Sequence, residues 1–233
     1  MLDGQRRDRL ARVVAEHVAS PGRTEWARAL CEVCVHALAG VDATAVTLRS
    51  GHRAQELLAS SDRWAGALEE AQYTVGEGPG VEAFGTGGPV LVADLSAARS
   101  RWPGFADLAE EEGLAAVFAF PLRLGGTTLG TLDLYRRRPG GLSPTVLGDA
   151  AVLADLTVLW LLDHSDTTGG GVRVEVSYQD VNIATGMLAA QLRISLEDAF
   201  ARLRAHAFAS RRSVLDVARD VLARRLPLDQ LAD

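Results

Sequence analysis

Three segments near the end of the chain decide its fold: SYQDVNIATGML at residues 177–188, ISLEDAFARLRAHAF at 194–208 and RRSVLDVARDVL at 211–222. In each segment the apolar residues recur every three or four positions, which places them on one face of an α-helix. Helices of roughly 12–16 residues with connections of about three to five residues are enough for a minimal helical bundle. The segments therefore predict a three-helix unit.

Two serines mark helix starts in this unit. Ser195 stands three residues before Asp198, and Ser213 stands three residues before Asp216. A serine hydroxyl in this position can accept a hydrogen bond from a backbone N–H of the first turn, and the acid can reach back. Each carboxylate also lies near the positive end of the helix dipole. We therefore expect a capped helix to follow each serine.

Charge distinguishes this unit from the rest of the chain. Between Met187 and Leu226 there are eight arginines and four acids, a net charge of +4, whereas the whole chain carries −6 and the remainder therefore −10. A cationic bundle on an acidic protein favours a polyanionic partner. The alternative is an ordinary solvated helix face. Arginine would be common on such a face, because the chain contains no lysine to supply its positive charges.

A residue pattern runs through the same unit: ATGML at 184–188, Ser195, AF at 199–200, LR at 203–204, Ala207, RR at 211–212 and DVA at 216–218. This pattern resembles the ANTAR domain. The resemblance implies a three-helix bundle that binds RNA hairpins and prevents transcription termination. One position departs from the family pattern, because Thr185 stands where the family often has a basic residue between the alanine and the glycine.

The resemblance also implies which residues meet RNA. Arginines would contact phosphates, and small residues would permit close approach of the RNA. The candidate RNA-binding residues are Ala184, Thr185, Gly186, Arg193, Arg204, Ala207, Arg211, Arg212 and Arg219. The expected partner is a hairpin in a nascent transcript.

The front of the chain predicts an α+β domain with an antiparallel sheet of five or six strands and flanking helices. Helical patterns, glycine and proline stops, and alternating apolar residues divide it into short elements. We expect helices at residues 1–20, 24–39, 63–71, 81–85, from about 106 to 112 and 143–164, and strands at 42–49, 55–60, 90–94, 115–124 and 127–135.

Five motifs of this front domain can be compared with known families: VGEGPG at 75–80, VLVAD at 90–94, RWPGF at 101–105, FPLRLGG at 120–126 and GTLDLY at 130–135. Together they resemble the GAF domain. The resemblance implies a module that senses a small ligand or forms a dimer, with a pocket between the sheet and the loops over one face. The expected division is an N-terminal helix at 1–21, a GAF domain at 22–165, a linker at 166–173 and an ANTAR domain at 174–228.

Aromatic residues are the candidates for lining that pocket, although most large aromatics belong to a core. Trp102 and Phe105 flank Pro103 and Gly104 in a predicted loop, where pockets commonly form. The candidate pocket residues are Tyr73, Trp102, Phe105, Phe118 and Phe120. The long apolar helix at 143–164 carries more apolar surface than one stripe requires, so we also expect a homodimer.

Catalysis finds little support in the sequence, because its five histidines are scattered and no metal-ligand or nucleophile motif appears. Cys31 and Cys34 form a CxxC pair that suggests redox or metal chemistry, but two small buried side chains on a helix are the simpler interpretation. We expect no enzyme activity, no cofactor and no metal, and a cytoplasmic protein without a membrane segment.

Two functions from different classes remain open. The first is an RNA-binding antitermination regulator in which the GAF domain controls the ANTAR domain. The second is a signalling scaffold whose C-terminal bundle docks to a protein. DNA binding is disfavoured, since Asp216 and Asp220 would lie beside the phosphates if the last helix entered a groove.

Overall fold

The computed structural model describes residues 2–17, 23–50, 54–163 and 176–231. The predicted linker at 166–173 lies outside these residues. The helices are α1 (Leu2–His17), α2 (Arg23–Ala37), α3 (Arg63–Val75), α4 (Pro79–Thr86), α5 (Pro103–Glu111), α6 (Pro144–Asp163), α7 (Gln179–Leu192), α8 (Leu196–Ala209) and α9 (Val214–Leu222), with 3-10 turns at Ser96–Arg101 and Leu228–Leu231. The strands are β1 (Ala43–Ser50), β2 (Ala54–Ser60), β3 (Val90–Val92), β4 (Ala116–Leu124), β5 (Thr127–Arg136) and β6 (Val176–Ser177).

The strands form one antiparallel sheet in the order β3-β4-β5-β1-β2-β6. The prediction of a five- or six-stranded antiparallel sheet is therefore confirmed. β6 pairs its Ser177 with Glu56 at the edge of the sheet. This strand directly precedes α7, so the chain enters the C-terminal bundle from a fixed position on the edge of the first domain.

Apolar layers cover both faces of the sheet, and the alternation along β4 shows how they are divided. Phe118 and Phe120 belong to the layer formed with α1, α2 and α6. Val117 and Ala119 belong to the layer formed with α3, α4 and α5. Successive side chains of a strand point to opposite faces. A nearly continuous apolar strand thus serves two cores at once, as expected for an interior strand.

Within the described residues, α6 is the one helix long and apolar enough to cross a membrane by length and composition. Leu153 and Val158 on this helix are buried in the same layer as Phe118. Trp160 stacks on Trp26 of α2, with the ring centroids 4.6 Å apart. The helix therefore packs as part of the domain core.

The two cysteines of the CxxC pair lie on α2 and are fully buried. Burial in this apolar layer raises the pKa of Cys34 to about 12. A thiol needs its thiolate form to act as a nucleophile or metal ligand. The interpretation of the pair as two small buried side chains is confirmed.

α3 is longer than the sequence predicted. The expected helix ended at residue 71, whereas α3 runs to Val75 and ends at Gly76, which has φ 77°. Glycine adopts this left-handed conformation without steric cost and is a common helix stop. The extension places Tyr73 on a helix rather than between the helices predicted at 63–71 and 81–85, and this placement matters for the site.

The C-terminal unit is a three-helix bundle, as predicted. Ser195 Oγ accepts a hydrogen bond from Asp198 N at 3.0 Å, and Ser213 Oγ accepts one from Asp216 N at 3.0 Å. Both predicted caps are confirmed. Asp198 does not reach back to a backbone N–H; its Oδ2 accepts the Ser195 hydroxyl at 2.7 Å. The buried stripes of α7, α8 and α9 meet in one apolar cluster.

Candidate nucleic-acid interface

The bundle packs directly against the front domain, and Tyr73 of α3 is the centre of the contact. Its ring is 1% exposed and belongs to the apolar cluster of the bundle. The ring centroid lies 4.2 Å from that of Tyr178 and 5.7 Å from that of Phe200. One residue later, Thr74 Oγ1 accepts a hydrogen bond from Val214 N at 3.2 Å. A helix of the first domain therefore supplies a core residue to the second.

Tyr73 was predicted to line a pocket in the front domain, and the structure does not support that role. The residue faces the bundle because α3 continues past its predicted end. Burial there raises the pKa of the Tyr73 hydroxyl to about 12. Burial also raises the pKa of the neighbouring Glu70 carboxyl, and this effect is opposed by a hydrogen bond with Ser213 at the start of α9. The contact thus extends from α8 to α9.

Arg204 is held in the same contact. Its guanidinium carbon lies 4.1 Å from the ring centroid of Phe200 and 5.4 Å from that of Tyr73. Its Nη1 lies so close to Gly76 that a Cβ at that position would overlap it. The C-terminal end of α3, which ends there, carries partial negative charge that favours a cation. Burial lowers the pKa of Arg204 to about 10.

The prediction that Arg204 contacts RNA phosphates does not fit this arrangement. Its guanidinium is half-buried between the two domains, so it is not part of the open surface of the bundle that an RNA backbone could meet. Arg204 Nε is buried without a hydrogen-bond partner among the residues that the structure describes. The sequence shows a helical arginine and gives no signal that another domain covers it.

Three of the predicted small contact residues are also inaccessible. Ala184 and Ala207 are 0% exposed and Thr185 is 5% exposed, so none of them can contact RNA in this arrangement. They lie in the helix-facing stripes, where small side chains let the helices pack closely. The Thr185 hydroxyl donates a hydrogen bond to Val181 O at 2.7 Å within α7. Threonine is therefore tolerated at this position of the family pattern, because its buried hydroxyl has a hydrogen-bond partner.

The remaining predicted arginines are exposed. Arg212 Nη2 lies 2.6 Å from Asp220 Oδ2, and Arg219 Nε lies 3.5 Å from Asp180 Oδ2. Arg211 Nη1 approaches Glu111 of α5 at 3.8 Å, with the arginine side chain 82% exposed. Exposed ion pairs contribute about 0–1 kcal/mol. Arg211 and Arg219, whose carboxylate partners are exposed, are therefore weakly held, whereas Arg212 shares the 18% exposed Asp220 with Arg225.

An open surface follows one side of α7. Asn182, Gly186 and Ala190 are four residues apart, so they share that side, and a Cβ on Gly186 would meet no atom within 4 Å. Arg193 is exposed at the C-terminal end of the helix. We call Asn182, Gly186, Ala190 and Arg193 the α7 surface. The sequence prediction included Gly186 and Arg193 but missed Asn182 and Ala190, which the spacing of the polar face could have revealed.

The other candidate pocket residues do not converge. Trp102 and Phe105 are buried in the layer with α3, α4 and α5, whereas Phe118 and Phe120 lie on the opposite face of the sheet. Phe105 is in α5 rather than in a loop. The five aromatics are therefore distributed over three cores and do not form one pocket. The alternation along β4 predicts that Phe118 and Phe120 lie on the same face of the sheet, but it does not predict which face that is.

A buried polar network occupies the space between the sheet and α3. Glu69 Oε1 accepts a hydrogen bond from the Tyr135 hydroxyl at 2.5 Å, and its Oε2 accepts one from Thr47 Oγ1 at 2.8 Å. Arg49 Nη2 lies 3.3 Å from Oε2 of the same carboxylate. Burial and the charge of Glu69 raise the pKa of Asp133 well above its ordinary value. No local pattern in the sequence predicts this network.

Comparisons with known proteins agree with this architecture. The GAF domain model matches residues 25–159, and the ANTAR domain model matches residues 177–222. The GAF domain of an Acinetobacter phosphoenolpyruvate-protein phosphotransferase has a TM-score of 0.54 at 18% identity, covering 70% of this chain and 96% of that chain. The corresponding domain from Coxiella burnetii has a TM-score of 0.53 at 18% identity, covering 68% and 94%.

Identities this low show likeness of fold alone, and no curated protein matches the chain in sequence. The family assignment therefore depends on the two domain matches. The GAF match extends over more than half of the chain, and the ANTAR match covers α7, α8 and α9. The chain belongs to the GAF domain family and joins its GAF domain to a C-terminal ANTAR domain.

Proposed function

We propose that this protein is an RNA-binding regulator of transcription antitermination. In this proposal the GAF domain receives a signal or holds a homodimer, and the ANTAR bundle binds a hairpin in a nascent transcript. The observation that carries the proposal is an ANTAR-type bundle with a net charge of +4 between Met187 and Leu226. The proposal assigns no catalytic step to either domain and places the protein in the cytoplasm.

The α7 surface is the part of the bundle best suited to approach RNA while the domains are in contact. Gly186 and Ala190 leave little side-chain bulk, and Asn182 offers both a donor and an acceptor. Arg193 adds a positive charge at the end of the helix. Single-stranded hairpin loops present base edges that proteins can read, whereas the paired A-form major groove is too narrow. We therefore propose that the α7 surface meets the loop of the hairpin.

Arg211, Arg212 and Arg219 would contact the phosphates on either side. Arg211 and Arg219 lie beside exposed carboxylates and can exchange them for phosphates, and the exposed Arg212 can add a phosphate beside Asp220. Arg204 is not part of this contact as long as α8 remains against α3. The proposed phosphate contacts are thus fewer than the sequence predicted.

Selection from a library of RNA hairpins with randomised loops tests the proposal. The full chain should enrich hairpins, and it should not enrich the same sequences as DNA, because DNA lacks the 2′-hydroxyl. Asn182→Glu places a negative charge within the α7 surface and should abolish enrichment. Ala151→Glu adds the same charge on an exposed position of α6 and is the matched control. Equal enrichment by the two variants would contradict the proposed surface.

A protein-docking scaffold is the second candidate. It is favoured by the exposure of Ile183 and Met187, which are 46% and 39% exposed on α7. Apolar side chains at this spacing could pack against a partner helix. A pull-down with the full chain tests this function. Capture of a partner protein should persist after nuclease treatment and should be lost with the Ile183→Glu variant. That result would favour protein docking over RNA binding.

A further inference from the structure

A cavity of about 660 Å³ opens between the two domains, at the junction of α3, α5 and α8. Val75 and Pro103 contribute apolar surface from the GAF domain, and Ala201, Ala205 and Phe208 contribute it from the ANTAR domain. This volume is within the range of small-molecule sites, roughly 300–1,000 Å³. The cavity is separate from the Glu69 network between the sheet and α3, because none of the network's residues line it.

Arg204 is the cationic group of this cavity. No carboxylate pairs with it among the residues that the structure describes, although Glu77 and Asp107 also line the cavity. Those two acids have other partners. Glu77 Oε1 accepts hydrogen bonds from Gly104 N at 2.6 Å and Phe105 N at 3.1 Å, and Asp107 pairs with Arg99. Within the described part of the chain, the cavity therefore holds a partly desolvated cation without a carboxylate counter-ion.

The surroundings of Arg204 restrict the ligand chemistry. A planar guanidinium binds carboxylates and phosphates by paired hydrogen bonds. The carboxylates of Glu77 and Asp107 would repel a multiply charged phosphate ester. An apolar lining with the half-exposed ring of Phe208 favours a ligand with a hydrocarbon or aromatic body. These features select a small organic acid with a single negative charge.

We propose that the cavity between the GAF and ANTAR domains is a binding site for a small apolar monocarboxylate, whose carboxylate pairs with Arg204. The ligand contacts α3 and α5 on one side and α8 on the other. Binding therefore stabilises the arrangement in which the two domains are in contact, since a ligand shifts an equilibrium toward the state it binds better.

Titration of the full chain with phenylacetate, 3-phenylpropionate and 4-phenylbutyrate, followed by NMR chemical shifts, tests this site. At least one acid should bind, with shifts at Ala201, Ala205 and Phe208. The neutral alcohol of the same length should bind roughly 10- to 100-fold more weakly, because hydrogen bonds to charged groups contribute about 1.5–3 kcal/mol. Failure of all three acids at millimolar concentration, or equal binding of acid and alcohol, would overturn the proposal.

Variants locate the site. Arg204→Gln removes the charge and Ala205→Trp fills the cavity, so both should lose acid binding. Arg138→Gln and Ala190→Trp change exposed positions outside the cavity and should retain it. Circular dichroism checks that each variant is folded. Retained binding in a folded Ala205→Trp variant would place the ligand elsewhere and exclude this cavity.

The proposal does not depend on RNA binding, because the titration uses the protein alone. Loss of hairpin binding in the selection experiment would leave the cavity assignment intact, and failure of the acids would leave the proposed RNA surface intact. If both succeed, adding the bound acid to a hairpin titration measures whether the domain contact opposes or favours RNA binding.

Discussion

Gly76 has two roles that only glycine satisfies together. Its φ of 77° ends α3, and its missing Cβ leaves room for the Arg204 guanidinium. Either requirement alone would favour glycine, but they involve different partners, one within the helix and one in the other domain. A substitution at this residue therefore tests the domain contact as well as the turn.

Gly76→Ala should destabilise the protein by about 1–3 kcal/mol from backbone strain, plus the cost of displacing Arg204. Gly125→Ala is the matched control, because Gly125 has φ 59° and a Cβ there would meet no atom within 4 Å. Urea denaturation of both variants gives the difference. A larger loss for Gly76→Ala supports the Arg204 contact, whereas equal losses would show that only the turn is affected.

Asp133 predicts a dependence of stability on pH. Burial and the charge of Glu69 raise its pKa above the ordinary 3.8, so the folded protein binds a proton there that the unfolded chain releases. Between 3.8 and the raised pKa the folded state binds more protons, and its stability falls as pH rises. Asp133→Asn should therefore be more stable than the wild type at pH 7.

The advantage of Asp133→Asn should disappear as pH falls below about 4, where the carboxyl is protonated in both states. Asp155→Asn, at an exposed position on α6, is the control and should show little difference at either pH. Thermal unfolding across this pH range measures both variants. If Asp133→Asn were less stable than the wild type at pH 7, the charged carboxylate would be the form that stabilises the folded protein, contrary to this prediction.

At the level of elements, α3 belongs to both domains. One side of the helix packs on the sheet with Trp64 and Leu68, and its last turn presents Tyr73 to the bundle. A change in the position of α3 would therefore alter the packing of both domains. This shared helix offers a direct physical route by which the GAF domain could influence the ANTAR domain.

Tyr73→Ala should lower the free energy of unfolding by about 3–5 kcal/mol, the usual cost of removing a buried aromatic ring. Phe208→Ala removes a ring that is 48% exposed on α8, and it should cost under about 1 kcal/mol. Chemical denaturation compares the two. A small effect of Tyr73→Ala would mean that the bundle does not depend on α3 for its core.

α6 offers the surface for the proposed homodimer. Leu159 is 46% exposed on this helix, although other residues of the helix pack in the core. Leu159→Glu should convert a dimer to a monomer, since a charge at an apolar interface is left without a partner. Leu91→Glu is matched in exposure at 46% but lies on β3. Analytical ultracentrifugation distinguishes them, and an unchanged dimer in Leu159→Glu would exclude this face.

At the level of the whole molecule, the local features were predictable and the contacts between domains were not. Ser195 and Ser213 identify helix starts because a cap involves only neighbouring residues. The face of the sheet on which Phe118 lies and the position of Arg204 depend on which elements pack together. Local sequence patterns do not contain that information. For this reason the sequence predicted both domains but placed Tyr73 in a pocket and Arg204 on an open surface.

The whole arrangement leaves the α7 surface open and places Arg204, half-buried, in the cavity between the domains. RNA should therefore bind through exposed arginines while the domains remain in contact. Arg193 and Arg211 are exposed, and Arg138 is an exposed arginine of the GAF domain distant in sequence from the bundle. These three residues allow the electrostatic contribution of the bundle to be separated from that of the protein as a whole.

The salt dependence of binding to a selected RNA hairpin measures how many phosphate contacts the arginines of the bundle make. The logarithm of the association constant should fall steeply and linearly with the logarithm of salt concentration. Arg193→Ala and Arg211→Ala should each make the slope shallower by roughly 0.7–0.9, while Arg138→Ala should leave it unchanged. Absence of binding at low salt, or a slope that none of the bundle variants changes, would contradict the claim that this bundle binds RNA through its exposed arginines.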